Sequence, residues 1–296
     1  EEWTASFAGK EPGDLRVIDV DGVSYSFRWA PPGAFTMGSP ESEREATLLP
    51  WKERLARRLE DAPDPSKAES IAKSNNVFLK MRERALARET QREVTLTQGF
   101  WMLETPVTQL MWDSLMGYNP SAREGVNNPV EQVSWFDCQE FVAKLNRLGV
   151  APAGLRFALP TEAQWEYACR AGTTTPFFWG DSLNGDKANC NGTFPYGTNE
   201  RGAYLQRTTP VGRYPANPWG LCDMHGNVWE YCQDWLGVYS ADPVTDPRGP
   251  AWGHSRSIRG GCFQGEAQNC RSAARAGAYL TDTGWEALGF RLVLVP

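Results

Sequence analysis

Histidine is scarce in this sequence, and the cysteines do not fall in close pairs. Only two histidines occur, His225 and His254, and none of the seven cysteines belongs to a Cys-x-x-Cys pair. Because protein zinc sites are usually built from closely spaced cysteines and histidines, we expect no zinc site of this kind. The odd cysteine count leaves at least one thiol unpaired in a monomer, and we expect most thiols to be buried as small hydrophobic side chains.

Long hydrophobic runs and an excess of positive charge are also missing. No apolar stretch approaches the roughly 18 residues of a membrane-spanning helix, so we expect no transmembrane segment. The formal net charge is −6, which argues against a nucleic-acid partner because phosphates are bound by clustered basic surfaces. The chain opens without methionine and without an apolar signal region, which predicts a processed product whose targeting segment has been removed.

Tryptophan and glycine, in contrast, are abundant. The 13 tryptophans and 28 glycines predict a compact interior in which flat side chains pack against tight turns. Asp21-Gly22 lies between two β-rich runs and predicts a hairpin. Residues 93–108, 257–261 and 289–295 are strand-like, whereas the Gly-, Asn- and Pro-rich residues 173–220 predict long ordered loops.

Two helices are indicated by their caps. Ser134 with Asp137 begins the first, and Thr161 with Gln164 forms a capping box that begins the second, which Gly172 ends. Apolar residues at helical spacing predict the buried stripe of the first helix, namely Phe141, Val142, Leu145 and Leu148.

A charged segment at about 41–92, hereafter the insert, interrupts this pattern. Its composition is dense in Arg, Lys, Glu and Leu, and Trp51, Leu55 and Leu59 fall on one helical stripe. These features predict a pair of amphipathic helices docked on the domain. An interaction module that binds a partner through the insert is the alternative.

Four phrases occur in a fixed order: AFTMGSP (34–40), LPTEAQWEYACRAG (159–172), GLCDMHGNVWEYCQDW (220–235), and RGG, NCRSAAR and GFRL within 259–292. Together they resemble the formylglycine-generating-enzyme family, also called the sulfatase-modifying-factor domain. The resemblance covers nearly the whole chain except the insert. It implies an α+β protein with a C-type-lectin-like fold of the formylglycine-generating-enzyme type. Such a fold has a small antiparallel sheet, two main helices and much irregular loop structure, here in a single domain over 1–296.

Oxidase members of this family bind copper through two cysteines in the last segment. Counted from Gly261, Gly265 stands at the first cysteine position and Cys270 at the second, and Cys262 does not restore the pair by its spacing. Because a linear Cu(I) dithiolate needs two soft ligands, we predict that the chain is not an enzyme and requires no cofactor. A divergent copper-dependent formylglycine-generating oxidase acting on a protein cysteine is the alternative.

The resemblance also implies a structural calcium ion at the phrase DMHGNVWE. Carried over residue by residue, the ligands are the carboxylates of Asp223 and Glu230 and the carbonyls of Gly226 and Val228. Hard oxygen ligands on a curved loop suit Ca²⁺. A loop held only by Trp229 packing and hydrogen bonds is the alternative.

Between the fixed phrases of the last segment, the side chains are small and mixed. A catalytic pocket would gather polar groups with perturbed pKa values there. The pattern instead resembles the variable proteins of diversity-generating retroelements, in which copying errors at template adenines diversify asparagine codons. The resemblance implies a ligand-binding protein with a variable region at about 246–292, whose recognition residues are His254, Ser255, Ser257, Cys262, Gly265, Ala274, Ala276, Gly277, Ala278, Tyr279, Thr281, Asp282 and Thr283.

The same copying mechanism restricts the outcome. Changes in the first two codon bases cannot produce Trp, Gln, Glu, Lys or Met, so certain positions should belong to the scaffold: Gln264, Glu266, Gln268, Trp285 and Glu286. The resemblance further implies an exported lipoprotein displayed at the cell surface, with an unknown protein or cell-surface ligand as its partner.

Overall fold

Asp21 and Gly22 form the tight turn that joins the first two strands. Both have positive φ, 50° and 83°, as two-residue hairpin turns require, which confirms the predicted hairpin. The computed structural model describes residues 8–296, so residues 1–7 of the predicted domain lie outside the described range. The strands are β1 Leu15–Val20, β2 Val23–Ala30, β3 Gly33–Met37, β4 Arg92–Leu96, β5 Phe100–Leu103, β6 Arg156–Ala158, β7 Trp229–Trp235, β8 Val244–Thr245, β9 Arg256–Arg259, β10 Ala276–Ala278, β11 Leu288–Phe290 and β12 Val293–Val295.

These strands form three sheets rather than one. The first has the order β1-β2-β5-β12-β6, the second β10-β9-β7-β11 and the third β3-β4-β8. Most pairs are antiparallel, and β7 with β11 and β4 with β8 are parallel. The α+β class is confirmed. Long irregular stretches connect the sheets, as the composition of residues 173–220 predicts.

The helices are α1 Glu41–Glu60, α2 Pro65–Leu86, α3 Gln109–Met116, α4 Trp135–Arg147 and α5 Glu162–Arg170. The predicted cap at Ser134 and the predicted capping box at Thr161 are confirmed, and the cap at Ser134 is also a full capping box with Asp137. Leu148 is 44 % exposed, so its place in the buried stripe is wrong. The reason is that α4 ends at Arg147. Helix α3 was not predicted, although Thr108 caps it and the left-handed Gly117 ends it.

Helices α3 and α4 cover the interior faces of the sheets. Trp112 of α3 stacks on Phe141 of α4 with ring centroids 5.4 Å apart, and both rings contact Phe290 of β11 edge-on. Aromatic pairs of this kind add to the stabilisation from buried area. The C-terminal strands therefore belong to the main core. No helix within the described residues 8–296 is long and apolar enough to cross a bilayer.

The insert forms the helical hairpin α1–α2. Trp51 packs on Phe78 at 4.9 Å between ring centroids, and the side-chain amide of Asn75 donates to the carbonyl of Leu55. Of the predicted stripe, Trp51 and Leu55 are half-buried and Leu59 is exposed. At its base the buried Glu43 accepts a hydrogen bond from an arginine of the last segment, as described below. The insert is thereby anchored to the rest of the domain.

Candidate functional site

Arg259 fixes the backbone of the last segment from inside the protein. Its side chain is fully buried, pairs with Glu166 and donates to the carbonyls of Ser272 and Ala274 at 3.1 and 2.5 Å. Charge-assisted hydrogen bonds to a planar guanidinium are strong and geometrically specific. The course of residues 272–274 therefore depends on Arg259.

Arg275 forms a second buried pair a few residues later. Its guanidinium binds both oxygens of Glu162 at 2.6 Å and donates to the carbonyl of Gly237 at 2.8 Å. Burial alone would raise the pKa of Glu162, but Arg275 and Arg259 outweigh it and hold the pKa at about 2. The glutamate is therefore ionised at neutral pH, and the ion pair is intact.

Arg291 and Glu230 form the third buried pair, which bears on the calcium prediction. Arg291 donates to both oxygens of Glu230 at 2.8 and 2.9 Å, and the indole N–H of Trp165 donates to one of them at 2.7 Å. Since these donors occupy the carboxylate, Glu230 does not fit the role of a calcium ligand.

The other predicted calcium ligands lie on a tightly folded loop. Asp223 accepts the backbone N–H of Gly212 at 2.6 Å, and burial raises its pKa to about 6. Gly226 has φ 92°, and a Cβ there would lie 2.4 Å from the carbonyl oxygen of Asn189. Val228 is fully buried. Among the described residues, no three His, Cys, Asp or Glu side chains are arranged to hold a metal. We derive no role from calcium.

The predicted recognition residues divide by exposure. Five are exposed: His254, Gly277, Tyr279, Thr281 and Thr283. Four are half-buried: Ser255, Gly265, Ala276 and Asp282. Four are buried, so the structure does not place them on the surface as predicted: Ser257, Cys262, Ala274 and Ala278. Along β10 the exposed Gly277 and the buried Ala278 follow the alternation of side chains, whereas β9 is buried at three consecutive residues from Ser257 to Arg259.

The exposed residues gather at one end of the β9–β10 pair. Arg256 pairs with Ala278, so the next antiparallel step sets Ser255 opposite Tyr279. Tyr279 is 63 % exposed, and its backbone is fixed because Asp282 accepts its N–H at 2.8 Å. We call the surface formed by Trp252, His254, Tyr279, Thr281 and Thr283 the exposed face.

An aromatic stack that sequence reasoning missed supports this surface. The guanidinium of Arg256 lies between the rings of Trp135 and Trp235, 4.0 and 3.7 Å from their centroids. Trp252, which is 74 % exposed, contacts His254 edge-on. Arginine stacked between two rings is held rigidly. No local signal in the sequence joins Trp135 to Arg256, because more than a hundred residues separate them.

The cysteines lie in the interior. All seven are buried and free. We expected most of them to be buried as small hydrophobic side chains. Cys190 and Cys270 share a small buried hydrophobic cluster. The neighbouring Cys190 thiol, together with burial, raises the pKa of Cys270, and burial raises the pKa of Cys262 to about 11. Sequence reasoning searched for the partner of Cys270 only within the last segment and therefore missed Cys190.

His225 holds the backbone next to this thiol pair. Its Nδ1 lies 2.7 Å from the carbonyl oxygen of Cys270, and its ring packs among Phe177, Phe178 and Trp179. Burial lowers the pKa of His225 to about 4, so the imidazole is neutral at pH 7 and donates to that carbonyl from Nδ1.

Comparisons with known proteins give three relatives with an enzymatic name. The chain is 39 % identical over 175 residues to the formylglycine-generating enzyme of Streptomyces coelicolor, with 56 % of this chain and 52 % of that protein covered. Identity is 37 % over 201 residues with the Mus musculus enzyme (64 % and 50 % covered). It is 31 % over 286 residues with the Bos taurus enzyme (88 % and 72 % covered). The chain thus spans about half the length of the first two relatives.

These relatives contradict the prediction that the chain is not an enzyme. All three are named for an enzymatic activity, at 31–39 % identity. Cys270 is also not without a neighbouring soft ligand, because Cys190 belongs to the same buried cluster.

Two solved structures share the fold. Treponema denticola variable protein 1 superposes with a TM-score of 0.71 at 22 % identity, covering 95 % of this chain and 99 % of that one. PvdO from Pseudomonas aeruginosa gives 0.68 at 22 % identity, covering 97 % and 100 %. Residues 29–295 match the family model described as the sulfatase-modifying factor enzyme 1-like domain. The four ordered phrases, the fold and this match agree, and the chain belongs to that family.

Proposed function

We propose that this protein binds ligands through the exposed face, and that four residues of this face vary between copies of the gene, namely His254, Tyr279, Thr281 and Thr283. The observation that carries the proposal is that the last segment contains two kinds of side chain, some exposed to solvent and others held in buried ion pairs. Tyr279, Thr281 and Thr283 are exposed, whereas Arg259 and Arg275 pair with buried glutamates in the stretch just before them, where Arg259 also holds the carbonyls of residues 272 and 274.

This division permits side chains to change without loss of the fold. Substitutions at exposed positions away from special features usually change stability by about 0.5 kcal/mol or less. Tyr279 offers a large flat contact area with few rotatable bonds, as tyrosines do in antibody loops. The name of the Treponema denticola variable protein, whose fold is the same, supports variation as the purpose. Export and display as a surface lipoprotein are part of the proposal, since the ligand must reach the face.

The test is genomic. We expect a near-copy of the DNA that encodes residues 246–292, beside a reverse-transcriptase gene, with differences concentrated at adenines of the copy. Across isolates, the codons of His254, Tyr279, Thr281 and Thr283 should differ. The control codons encode residue types that adenine miscopying cannot produce, so they should stay constant: Gln264, Glu266, Gln268, Trp285 and Glu286. Equal variation in both sets, or no second copy, would contradict the proposal.

A second candidate function is oxidation of a protein cysteine, favoured by the presence of Cys190 and Cys270 in one buried cluster. Two soft thiolates are the donor set that two-coordinate Cu(I) prefers. Copper, when bound, would supply the activation of oxygen that the family resemblance implies. Both thiols are almost fully buried, so a substrate cysteine would reach them only if the surrounding loops moved aside.

Titration with Cu(I) against a chelator competitor tests this candidate. One equivalent should bind the wild-type protein, and Cys270→Ser and Cys190→Ser should each abolish that binding, because a single thiolate cannot hold linear Cu(I). Cys138→Ser is the matched control, since Cys138 is equally buried in the main core. Stoichiometric binding that survives in Cys190→Ser would exclude this pair as the ligands.

A further inference from the structure

A cavity of about 160 Å³ lies between the insert and the last segment. Trp51 and Arg82 line it from the insert, and Trp229, Asn269, Ala274 and Ala276 line it from the other side. A cavity of roughly 150 Å³ holds a benzene-sized molecule. Polar and charged side chains, among them Glu89, Arg271 and Arg275, complete the lining. The volume suits one small organic group.

Arg82 brings an unbalanced positive charge to this cavity. Its guanidinium lies over the rings of Trp51 and Phe78, 4.6 and 5.2 Å from their centroids. Among residues 8–296, Arg82 forms no ion pair and donates no hydrogen bond. Burial lowers the pKa of Arg82, in keeping with a cation that is desolvated without a close counter-ion.

The neighbouring charges cannot serve as that counter-ion. Arg54 binds both oxygens of Glu266, at 3.0 and 3.1 Å. Of the other two arginines that line the cavity, Arg271 is paired with buried glutamates and Arg275 is paired with Glu162. Arg82 is therefore the cation of this cavity whose charge is left for a ligand.

Asn269 adds a second polar group with free capacity. Its backbone N–H donates to the carbonyl of Glu266, whereas its side-chain amide has no hydrogen-bond partner among the described residues. The other polar groups of the lining are engaged, Thr47 and Gln268 in hydrogen bonds and Glu89, Arg271 and Arg275 in ion pairs. The amide of Asn269 and the guanidinium of Arg82 are therefore the few polar groups available to orient a small molecule.

We propose that this cavity binds a small organic carboxylate with a flat apolar body. The carboxylate pairs with Arg82 and accepts from the Asn269 amide, and the body packs against Trp229 beside Ala274 and Ala276. Planar guanidinium matches planar carboxylate in geometry and in charge. The carboxylate belongs either to a free acid or to the C-terminus of a peptide. The site uses no residue of the exposed face, so it stands independently of the proposed function.

Calorimetric titration with benzoate tests the site. Benzoate should bind saturably, and benzamide, which has the same shape without the charge, should bind at least about tenfold more weakly because it loses a charge-assisted pair. Arg82→Gln should weaken benzoate binding about tenfold or more, and Ala276→Leu should reduce it by filling the cavity. Arg84→Gln is the matched control, an exposed arginine on the same helix.

Two further probes separate the sources of the carboxylate. Binding of benzoate alone indicates a free acid, whereas additional binding of N-acetyl-Gly-Phe, but not of its amidated form, indicates a peptide C-terminus. Far-ultraviolet circular dichroism of each variant verifies that the insert is folded. The proposal is overturned if benzoate does not bind, if benzamide or inorganic phosphate binds equally well, or if folded Arg82→Gln binds like the wild type.

Discussion

Replacing Arg259 by methionine should lower the free energy of unfolding by about 3–5 kcal/mol, the usual cost of removing one partner of a buried ion pair. The substitution leaves Glu166 without its buried partner from β9 and strips the carbonyls of Ser272 and Ala274 of their donor. Since domains are stable by only about 5–15 kcal/mol, this is a large part of the total. Urea unfolding followed by tryptophan fluorescence measures it.

The matched control lies on the exposed face. Tyr279→Ser should change the unfolding free energy by about 0.5 kcal/mol or less, because the side chain is mostly in solvent. The hydrogen bond from Tyr231 uses only the backbone carbonyl of Tyr279 and survives the change. A loss of similar size in Arg259→Met and Tyr279→Ser would show that the variable side chains also carry the shape of the segment.

Replacing Arg271 by methionine should cost a similar amount, about 3–5 kcal/mol, for a different reason. Arg271 binds Glu43 at 2.6 Å and Glu89 at 3.0 Å, at the two ends of the insert, and all three side chains are buried. Without the arginine the two carboxylates lose their shared cation, and burial already raises the pKa of Glu43. We expect the insert to detach and its many Arg and Lys residues to become sites of trypsin cleavage.

Arg54→Met is the control for the insert. The Arg54–Glu266 pair also joins the insert to the last segment, but both side chains remain partly exposed, so about 1 kcal/mol or less should be lost. Limited proteolysis read by mass spectrometry distinguishes the two variants. Equal protection of Arg271→Met and the wild type would show that the helices are held by packing alone.

Local features of the chain were predictable, and distant partners were not. The caps at Ser134 and Thr161 and the Asp21-Gly22 turn depend on neighbours within three or four residues, so the sequence displays them directly. Helix α3 carries similar signals at Thr108 and Gly117. It was not predicted because the alternating apolar residues at 93–108 indicated a strand up to its first residue.

The site required contacts that no local pattern encodes. Arg271 meets Glu43 across 228 residues, and Cys190 reaches Cys270 only in the folded protein. Exposure along β10 also escaped prediction, because codon chemistry allows Gly277 and Ala278 equally, whereas the strand turns one outward and the other inward. The family could therefore be read from the sequence, but the division of the last segment into exposed and buried side chains, its supporting pairs and the Arg82 cavity could not.

The position of β12 bears on how the protein is made. This strand, the last of the chain, lies inside the five-stranded sheet between β5 and β6. During synthesis β1, β2 and β5 emerge first, and β5 keeps an unpaired edge until β12 has also been synthesised. Pairing over such sequence distances is slow and leaves intermediates open to aggregation. Loss of even a few C-terminal residues would leave a sheet with a gap in its middle.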